Sequence, residues 1–100
     1  MKTILTTELF DYWFDGLKDR QAKARIKNRL RRAELGNLGD CKPVSQGVSE
    51  MRIDYGPGYR LYFIQRPAEI VILLAGGDKS TQDSDIKAAL HLAHEIKEGR

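Results

Sequence analysis

The chain has 100 residues, the usual size of a single domain with one hydrophobic core, so we treat residues 1–100 as one domain. Its longest apolar run covers residues 70–75, far fewer than the roughly 20 residues that span a bilayer, which excludes a transmembrane helix and a membrane partner. The single cysteine, Cys41, excludes an internal disulfide. Together with the lack of a signal-peptide pattern, it predicts a cytoplasmic protein.

The net charge of +3 conceals an uneven distribution along the chain. Residues 18–32 hold eight basic residues and one acidic residue, a net charge of +7, and the remainder carries −4. A basic segment on an acidic body indicates either a polyanionic or acidic protein partner or a solvated helix face, and charge alone does not decide between them.

The first third of the chain predicts a short strand and two helices. Residues 2–5 read as an edge strand, and Thr6 or Thr7 as the N-cap of a first helix that breaks near Gly16. A second helix is predicted from near Asp19 to Gly36. Its narrow apolar stripe is flanked by basic residues and consists of Ala22, Ile26, Leu30 and Ala33.

Residues 48–54 and 59–65 alternate like strands on either side of a Gly56-Pro57-Gly58 turn. With a three-residue loop, one face is apolar and the other polar, and the predicted pairs are Ile53–Leu61, Met51–Phe63, Arg52–Tyr62 and Asp54–Arg60. Residues 69–75 predict a central strand, followed by a loop over residues 76–78. A last helix is then expected, capped by Ser80 and Asp83, and residues 42–44 allow one extra strand.

The predicted order is therefore β-α-α-β-β-β-α, an α+β fold. Helices at both ends of the chain enclose hairpin-linked strands. This order predicts an antiparallel sheet packed on one face by two helices.

The polar sheet face is the strongest candidate site. It brings Arg52, Arg60 and Tyr62 onto adjacent strands, and Lys79 follows the central strand at one end of the sheet. Guanidinium and ammonium groups bind phosphate and stabilise the charge that develops during RNA cleavage. Ordinary cross-strand pairing on a solvated face is the alternative interpretation.

The remaining motifs do not predict a further catalytic or ligand-binding site. Residues 76–81 are similar to the end of a phosphate-binding loop, but Asp78 stands before Lys79 where that pattern requires glycine. His91 and His94 lack a third ligand, and Cys41 reads as structural, so we predict no metal and no cofactor.

Several segments resemble the HigB-like branch of the RelE/ParE toxin superfamily, the phage-derived "addiction module killer proteins". The resemblance covers nearly the whole chain and is carried by Asp19-Arg20-Gln21-Ala22, Arg29-Leu30-Arg31-Arg32, Gly36-Asn37-Leu38-Gly39-Asp40, residues 52–60 and residues 76–82. It implies a RelE-like fold: a twisted antiparallel sheet with an N-terminal α-hairpin and a C-terminal helix. It also implies the toxin of a type II toxin–antitoxin system, a metal-independent endoribonuclease that cuts mRNA on the ribosome and inhibits translation.

The resemblance assigns roles to particular residues. Arg60 matches a phosphate-stabilising arginine and Lys79 matches a basic turn residue, whereas the C-terminal RelE tyrosine falls near Asp85. Arginine stays protonated and cannot act as a base. We therefore expect Arg60 and Arg52 on the phosphate, Lys79 as phosphate ligand or proton donor, and Tyr62 or Asp85 as the positioning or acid–base group.

The resemblance also implies partners. The basic helix is expected to bind ribosomal RNA through phosphates, using Lys23, Lys27, Arg31 and Arg32. A cognate helix-turn-helix antitoxin (HigA-like) is expected, with operator DNA contacted only through it. Two alternatives stay open: a ParE-type toxin that acts on DNA gyrase without nuclease activity, and an inactive antitoxin-binding module.

Overall fold

The computed structural model describes residues 1–98, and these form an α+β fold compatible with the RelE-like architecture. The first half contains β1 (Thr3–Thr6), α1 (Glu8–Asp15), α2 (Arg20–Glu34) and β2 (Cys41–Ser45). The second half contains β3 (Val48–Ile53), β4 (Tyr59–Arg66), β5 (Ile70–Asp78), a 3₁₀ turn (Lys79–Thr81) and α3 (Gln82–Glu98). The predicted α+β class, N-terminal α-hairpin and C-terminal helix are confirmed.

The first two helices begin at side-chain caps. The Thr7 hydroxyl accepts a hydrogen bond from the Phe10 N–H at 3.1 Å and donates one to the Leu74 carbonyl at 2.7 Å. The Asp19 carboxylate accepts from the N–H groups of Gln21 and Ala22 at 2.9 and 3.2 Å. Each cap satisfies N–H groups that the first helical turn leaves without an intrahelical partner.

The sheet is mixed, and the expectation of a wholly antiparallel sheet is wrong in this respect. Its strand order is β1-β5-β4-β3-β2, and every neighbouring pair is antiparallel except β1 and β5, which run parallel. Strands β2 to β5 are joined by short hairpins, which require antiparallel pairing. No hairpin joins β1 to β5, because both N-terminal helices and three strands separate them along the chain.

Helices cover both faces of the sheet, which corrects the prediction of one covered face. Residues of α1 and α2, such as Phe10 and Ile26, pack with Leu73 of β5 on one side. Ala89 of α3 packs with Leu74 of β5 on the other. A strand that is buried on both faces is apolar at successive positions, and this explains the uninterrupted apolar run that the sequence shows there.

The hairpin of β3 and β4 pairs in a register two residues away from the predicted one. Arg52 lies opposite Arg60, and Ile53 opposite Tyr59. The connection is longer than the predicted turn: it covers residues 54–58, and the Gly58 N–H donates to the Tyr55 carbonyl at 3.0 Å. A shift of two residues preserves the face of every side chain, so the predicted faces are correct although the predicted pairs are wrong.

Strand β5 continues through two glycines that the sequence assigned to a loop. Gly76 and Gly77 pair with Leu61 and Arg60 of β4. A Cβ on Gly76 would overlap the Trp13 ring, and a Cβ on Gly77 would overlap side chains of the α3 end. The glycines are therefore positions where helices approach the sheet closely, not turn residues.

The turn into α3 begins at Asp78, and the prediction of a Ser80 cap is wrong. The Asp78 carboxylate accepts hydrogen bonds from the Ser80 N–H and hydroxyl at 2.8 and 2.6 Å. The Thr81 hydroxyl oxygen accepts from the Asp78 N–H at 3.2 Å and completes a capping box. This reciprocal pair fixes the backbone on both sides of Lys79.

Candidate functional site

Two arginines face each other across neighbouring strands on the α3 side of the sheet. Arg52 of β3 is the register partner of Arg60 of β4, so their Cα atoms lie about 4.5–5.5 Å apart. Arg60 also pairs with Gly77, whose missing side chain would point at the α3 end. Like charges placed directly opposite each other destabilise a sheet, so this pairing of two arginines lowers the stability of the fold.

Arg60 is a buried cation without a carboxylate partner. The residue is 9% exposed, and its Nη1 donates to the Tyr59 carbonyl at 3.0 Å. Its Nε is buried and has no hydrogen-bond partner, and among residues 1–98 it has no ion pair within 4.0 Å. A buried charge is normally paired, so Arg60 holds charge and donor capacity that an anionic ligand would satisfy.

Arg52 is held by a carboxylate at the edge of the site. Its Nη2 donates to Asp40 at 2.9 Å, and this hydrogen bond is the main cause that lowers the pKa of the Asp40 carboxyl. Arg29 of α2 fixes the same edge, because its guanidinium donates to the carbonyls of Arg52, Leu38 and Asp40. The sequence shows Arg29 only as one of the basic residues that flank the apolar stripe of α2; the structure shows that it joins α2 to β3 and to the loop before β2.

Lys79 approaches the arginines across the Gly-Pro-Gly turn. A Cβ on Gly58 would stand 3.0 Å from the Lys79 Cε and Cγ, so the lysine stem lies along the glycine backbone. Gly58 has a φ of +81°, a conformation that favours glycine. Gly58 therefore serves two purposes: it closes the turn and leaves room for the lysine side chain.

These side chains line one small cavity. Its volume is about 190 Å³, and its lining consists of Asp40, Arg52, Asp54, Gly58, Arg60 and Lys79. Three of the five candidate catalytic residues, Arg52, Arg60 and Lys79, thus meet at one place. The two aspartates were not singled out by sequence reasoning as site residues. Asp54 was seen only as a strand-end partner of Arg60, and Asp40 as part of a turn.

Tyr62 lies on the same face but beneath α3. The residue is 0% exposed, and its hydroxyl has no hydrogen-bond partner among the described residues. Burial, reinforced by the nearby Glu50 carboxylate, raises the pKa of Tyr62 to about 12. The structure therefore does not bring Tyr62 to the surface on which a substrate would lie.

Asp85 is on the first turn of α3, on the same face of the sheet as the two arginines and directly over Gly77. Its carboxylate accepts a hydrogen bond from the Thr81 hydroxyl and overlaps the position of a Gly77 Cβ. Partial burial raises the pKa of Asp85, and the charge of Asp78 adds to that effect. Asp85 is not part of the cavity lining.

The basic surface of α2 lies on the opposite side of that helix from its buried stripe. Ala22, Ile26 and Ala33 are fully buried, as the periodicity predicted. Lys27, Arg31 and Arg32 are exposed, whereas Lys23 is half-buried with its ammonium 5.4 Å from the centre of the Phe14 ring. The three exposed residues keep their charge available to a partner, and RNA binding there stays a prediction.

Two negative findings apply to residues 1–98. No group of three or more His, Cys, Asp or Glu side chains is placed to hold a metal ion, and His91 instead contacts Glu95 at 3.1 Å. Within the same range, none of the helices has the length and apolar content needed to cross a membrane.

Comparison with known proteins gives two matches. Residues 12–98 match the family model described as "Phage derived protein Gp49-like (DUF891)". The chain is also 53% identical, over 93 residues, to an uncharacterized protein of Haemophilus influenzae, strain Rd. That alignment covers 93% of this chain and 94% of the Haemophilus protein, so the two are similar over nearly their full lengths.

Proposed function

This chain belongs to the Gp49-like family of phage-derived, toxin-like proteins, and we propose that it is the toxin of a bacterial type II toxin–antitoxin system. We further propose that it is a HigB-like endoribonuclease, which cleaves mRNA on the ribosome in the cytoplasm and so inhibits translation. The observation that carries the nuclease proposal is Arg60, a buried guanidinium without a carboxylate partner, placed opposite Arg52.

The cavity suits a phosphodiester. Two guanidinium groups offer planar, paired donors to phosphate oxygens, and Lys79 adds a third positive charge from the turn. The low exposure of Arg60 strengthens its electrostatic effect, because water screens it less than it screens a surface charge. A phosphate bound there would relieve the repulsion between the two arginines.

The same groups suit the cleavage reaction. When a 2′-hydroxyl attacks the adjacent phosphorus, negative charge accumulates on the non-bridging oxygens of a pentacoordinate phosphate. Preorganised cations stabilise that charge without reorganising, and removing one such donor typically slows a reaction by roughly 10²–10³-fold. In this proposal Arg52 and Arg60 hold the phosphate, and Lys79 binds it or donates a proton to the leaving 5′ oxygen.

The remaining partners are the ones that the resemblance to HigB-like toxins implies. The exposed residues of α2, Lys27, Arg31 and Arg32, would bind ribosomal RNA through its phosphates without reading its sequence. A cognate helix-turn-helix antitoxin would neutralise the toxin and provide its link to operator DNA. An acidic antitoxin segment would complement either basic surface.

The test is to map RNA ends after incubating the purified chain with mRNA, with and without programmed ribosomes. Arg60→Met removes the charge but keeps a long side chain, and Arg66→Met is the matched control at the other end of β4. We expect cuts that require ribosomes, that disappear with Arg60→Met and that persist with Arg66→Met. A parallel Arg52→Ala variant tests the same site at a residue that, unlike Arg60, is not buried.

Each other outcome contradicts a defined part of the proposal. Cleavage by a folded Arg60→Met protein would exclude Arg60 from the reaction. Growth arrest by a wild-type chain that cuts no RNA would favour a gyrase toxin, and no growth arrest would favour an antitoxin-binding module.

A further inference from the structure

The cavity contains two carboxylates that differ in their partners. Asp40 is committed to Arg52 through a 2.9 Å ion pair. Asp54 is exposed, lines the same cavity, and has no ion pair within 4.0 Å among residues 1–98. A cavity that only bound anions would bind them better without this second carboxylate, because it repels phosphate.

The proposed cleavage needs a group that accepts the 2′-hydroxyl proton, and the other polar groups are poorly suited to this. Arg52 and Arg60 remain protonated. Tyr62 is fully buried, and its pKa of about 12 keeps its hydroxyl protonated at neutral pH. Asp85 accepts a hydrogen bond from Thr81 and lies outside the cavity lining.

The loop that carries Asp54 is fixed to α2. It follows β3 directly and continues into Tyr55, whose hydroxyl donates to the Asp19 carboxylate at 3.1 Å. The Arg25 guanidinium lies 4.6 Å from the centre of the Tyr55 ring. These contacts, together with the Gly58 to Tyr55 backbone hydrogen bond, hold the loop at a defined position beside the arginines, as a catalytic group requires.

We propose that Asp54 is the general base of the cleavage reaction, an inference that rests on the proposed nuclease function. The Asp54 carboxylate accepts the proton of the 2′-hydroxyl as its oxygen forms a bond to phosphorus. The bond between phosphorus and the 5′ oxygen breaks, and that oxygen takes a proton from the Lys79 ammonium or from water. The products are a 2′,3′-cyclic phosphate and a 5′-hydroxyl, and solvent restores both side chains to their starting protonation states.

The test compares Asp54→Asn with Asp83→Asn. Asp83 is an exposed residue on the first turn of α3 outside the cavity, so its variant changes the net charge by the same amount near the site. Single-turnover cleavage of mRNA on programmed ribosomes gives the rate of the chemical step. Binding of a fully 2′-O-methylated RNA, which has no 2′-hydroxyl to attack, gives the affinity separately.

We expect Asp54→Asn to slow cleavage by about 10²–10⁴-fold, the usual effect of losing a general base. Affinity for the methylated RNA should stay the same or rise slightly, since a negative charge is lost. Asp83→Asn should leave both quantities unchanged, and Asp54→Glu should recover part of the rate. Residual products should still carry the cyclic phosphate end.

The possible failures are distinguishable. If wild type cleaves and Asp54→Asn cleaves at a similar or higher rate, Asp54 is not the base, and the nuclease function stands. If Asp54→Asn and Asp83→Asn lose activity equally, net charge explains the effect and the assignment is overturned. If wild type cleaves no RNA, both the nuclease function and the role of Asp54 are overturned.

Discussion

Replacing Arg60 by methionine should change stability and activity in opposite directions: the protein should become more stable while its cleavage activity is lost. The buried Nε of Arg60 lacks a partner, and removing such a group recovers about 1–3 kcal/mol. Removing the repulsion from Arg52 recovers roughly 0.2–1 kcal/mol more. The lost hydrogen bond to the Tyr59 carbonyl offsets part of this gain, at about 0.5–1.5 kcal/mol for a typical bond.

We therefore expect Arg60→Met to raise the free energy of unfolding by about 1 kcal/mol. For a domain of this size that corresponds to an increase in Tm of about 4–8 °C. Arg29→Met is the contrasting variant, because the Arg29 guanidinium donates to three carbonyls of the surrounding loop and strand. Losing those charge-assisted bonds should lower the stability by about 2 kcal/mol or more.

Urea unfolding followed by circular dichroism measures both changes, and a second series contains pyrophosphate. An anion that binds only the folded state stabilises it by mass action, by about 2.7 kcal/mol at a hundred times its Kd. Pyrophosphate should stabilise wild type and have little effect on Arg60→Met. Arg60 is not an unsatisfied, anion-binding cation if Arg60→Met is destabilised as much as Arg29→Met, or if pyrophosphate stabilises wild type and Arg60→Met equally.

Three further predictions follow from single features of the structure. The pKa of Tyr62, about 12, lies above that of an unfolded tyrosine, so stability is unaffected below pH 10 and falls as the pH rises from 10 to 12. The loss should reach about 1 kcal/mol by pH 11. Tyr62→Phe should lack this loss in urea titrations at pH 7 and 11, and an equal loss would contradict the burial argument. Gly76→Ala should lower stability by about 1–3 kcal/mol in the same assay because its Cβ overlaps the Trp13 ring, and a neutral effect would show that the ring moves freely. The double variant Lys27→Glu, Arg31→Glu should weaken ribosome binding, and the effect should be larger at low salt than at high salt because salt screens exposed charges. Sedimentation with ribosomes measures this binding. Unchanged binding at low salt would show that α2 is not part of the interface.

Much of the fold could be predicted because an apolar residue every three or four positions indicates a helix, whereas alternation of apolar and polar residues indicates a strand. The stripe of α2 and the alternation along β3 and β4 gave the correct elements and the correct faces. The register was missed because two-residue shifts preserve every face, and only the length of the connecting loop distinguishes them. Gly76 and Gly77 were assigned to a loop because a glycine pair commonly breaks a strand, and their tight contacts with Trp13 and α3 appear only in three dimensions.

The candidate site was predicted in part. Arg52, Arg60 and Lys79 could be brought together from strand order and face alone, and they line one cavity. The burial of Tyr62 was missed because the polar face was expected to be open to solvent, whereas α3 covers its inner part. Asp40 reaches the cavity from the loop before β2, a long-range contact that local sequence patterns do not encode.

The proposed function requires the cavity between β3, β4 and the Lys79 turn to bind an RNA phosphate. The most direct measurement is a crystal structure of the chain with a short 2′-O-methylated RNA, which binds without being cleaved. We expect a phosphate within hydrogen-bond distance of the Arg52 and Arg60 guanidinium groups, with the Lys79 ammonium beside it and the Asp54 carboxylate facing the methylated 2′ oxygen. RNA bound only along α2, with no phosphate in the cavity, would exclude this binding site.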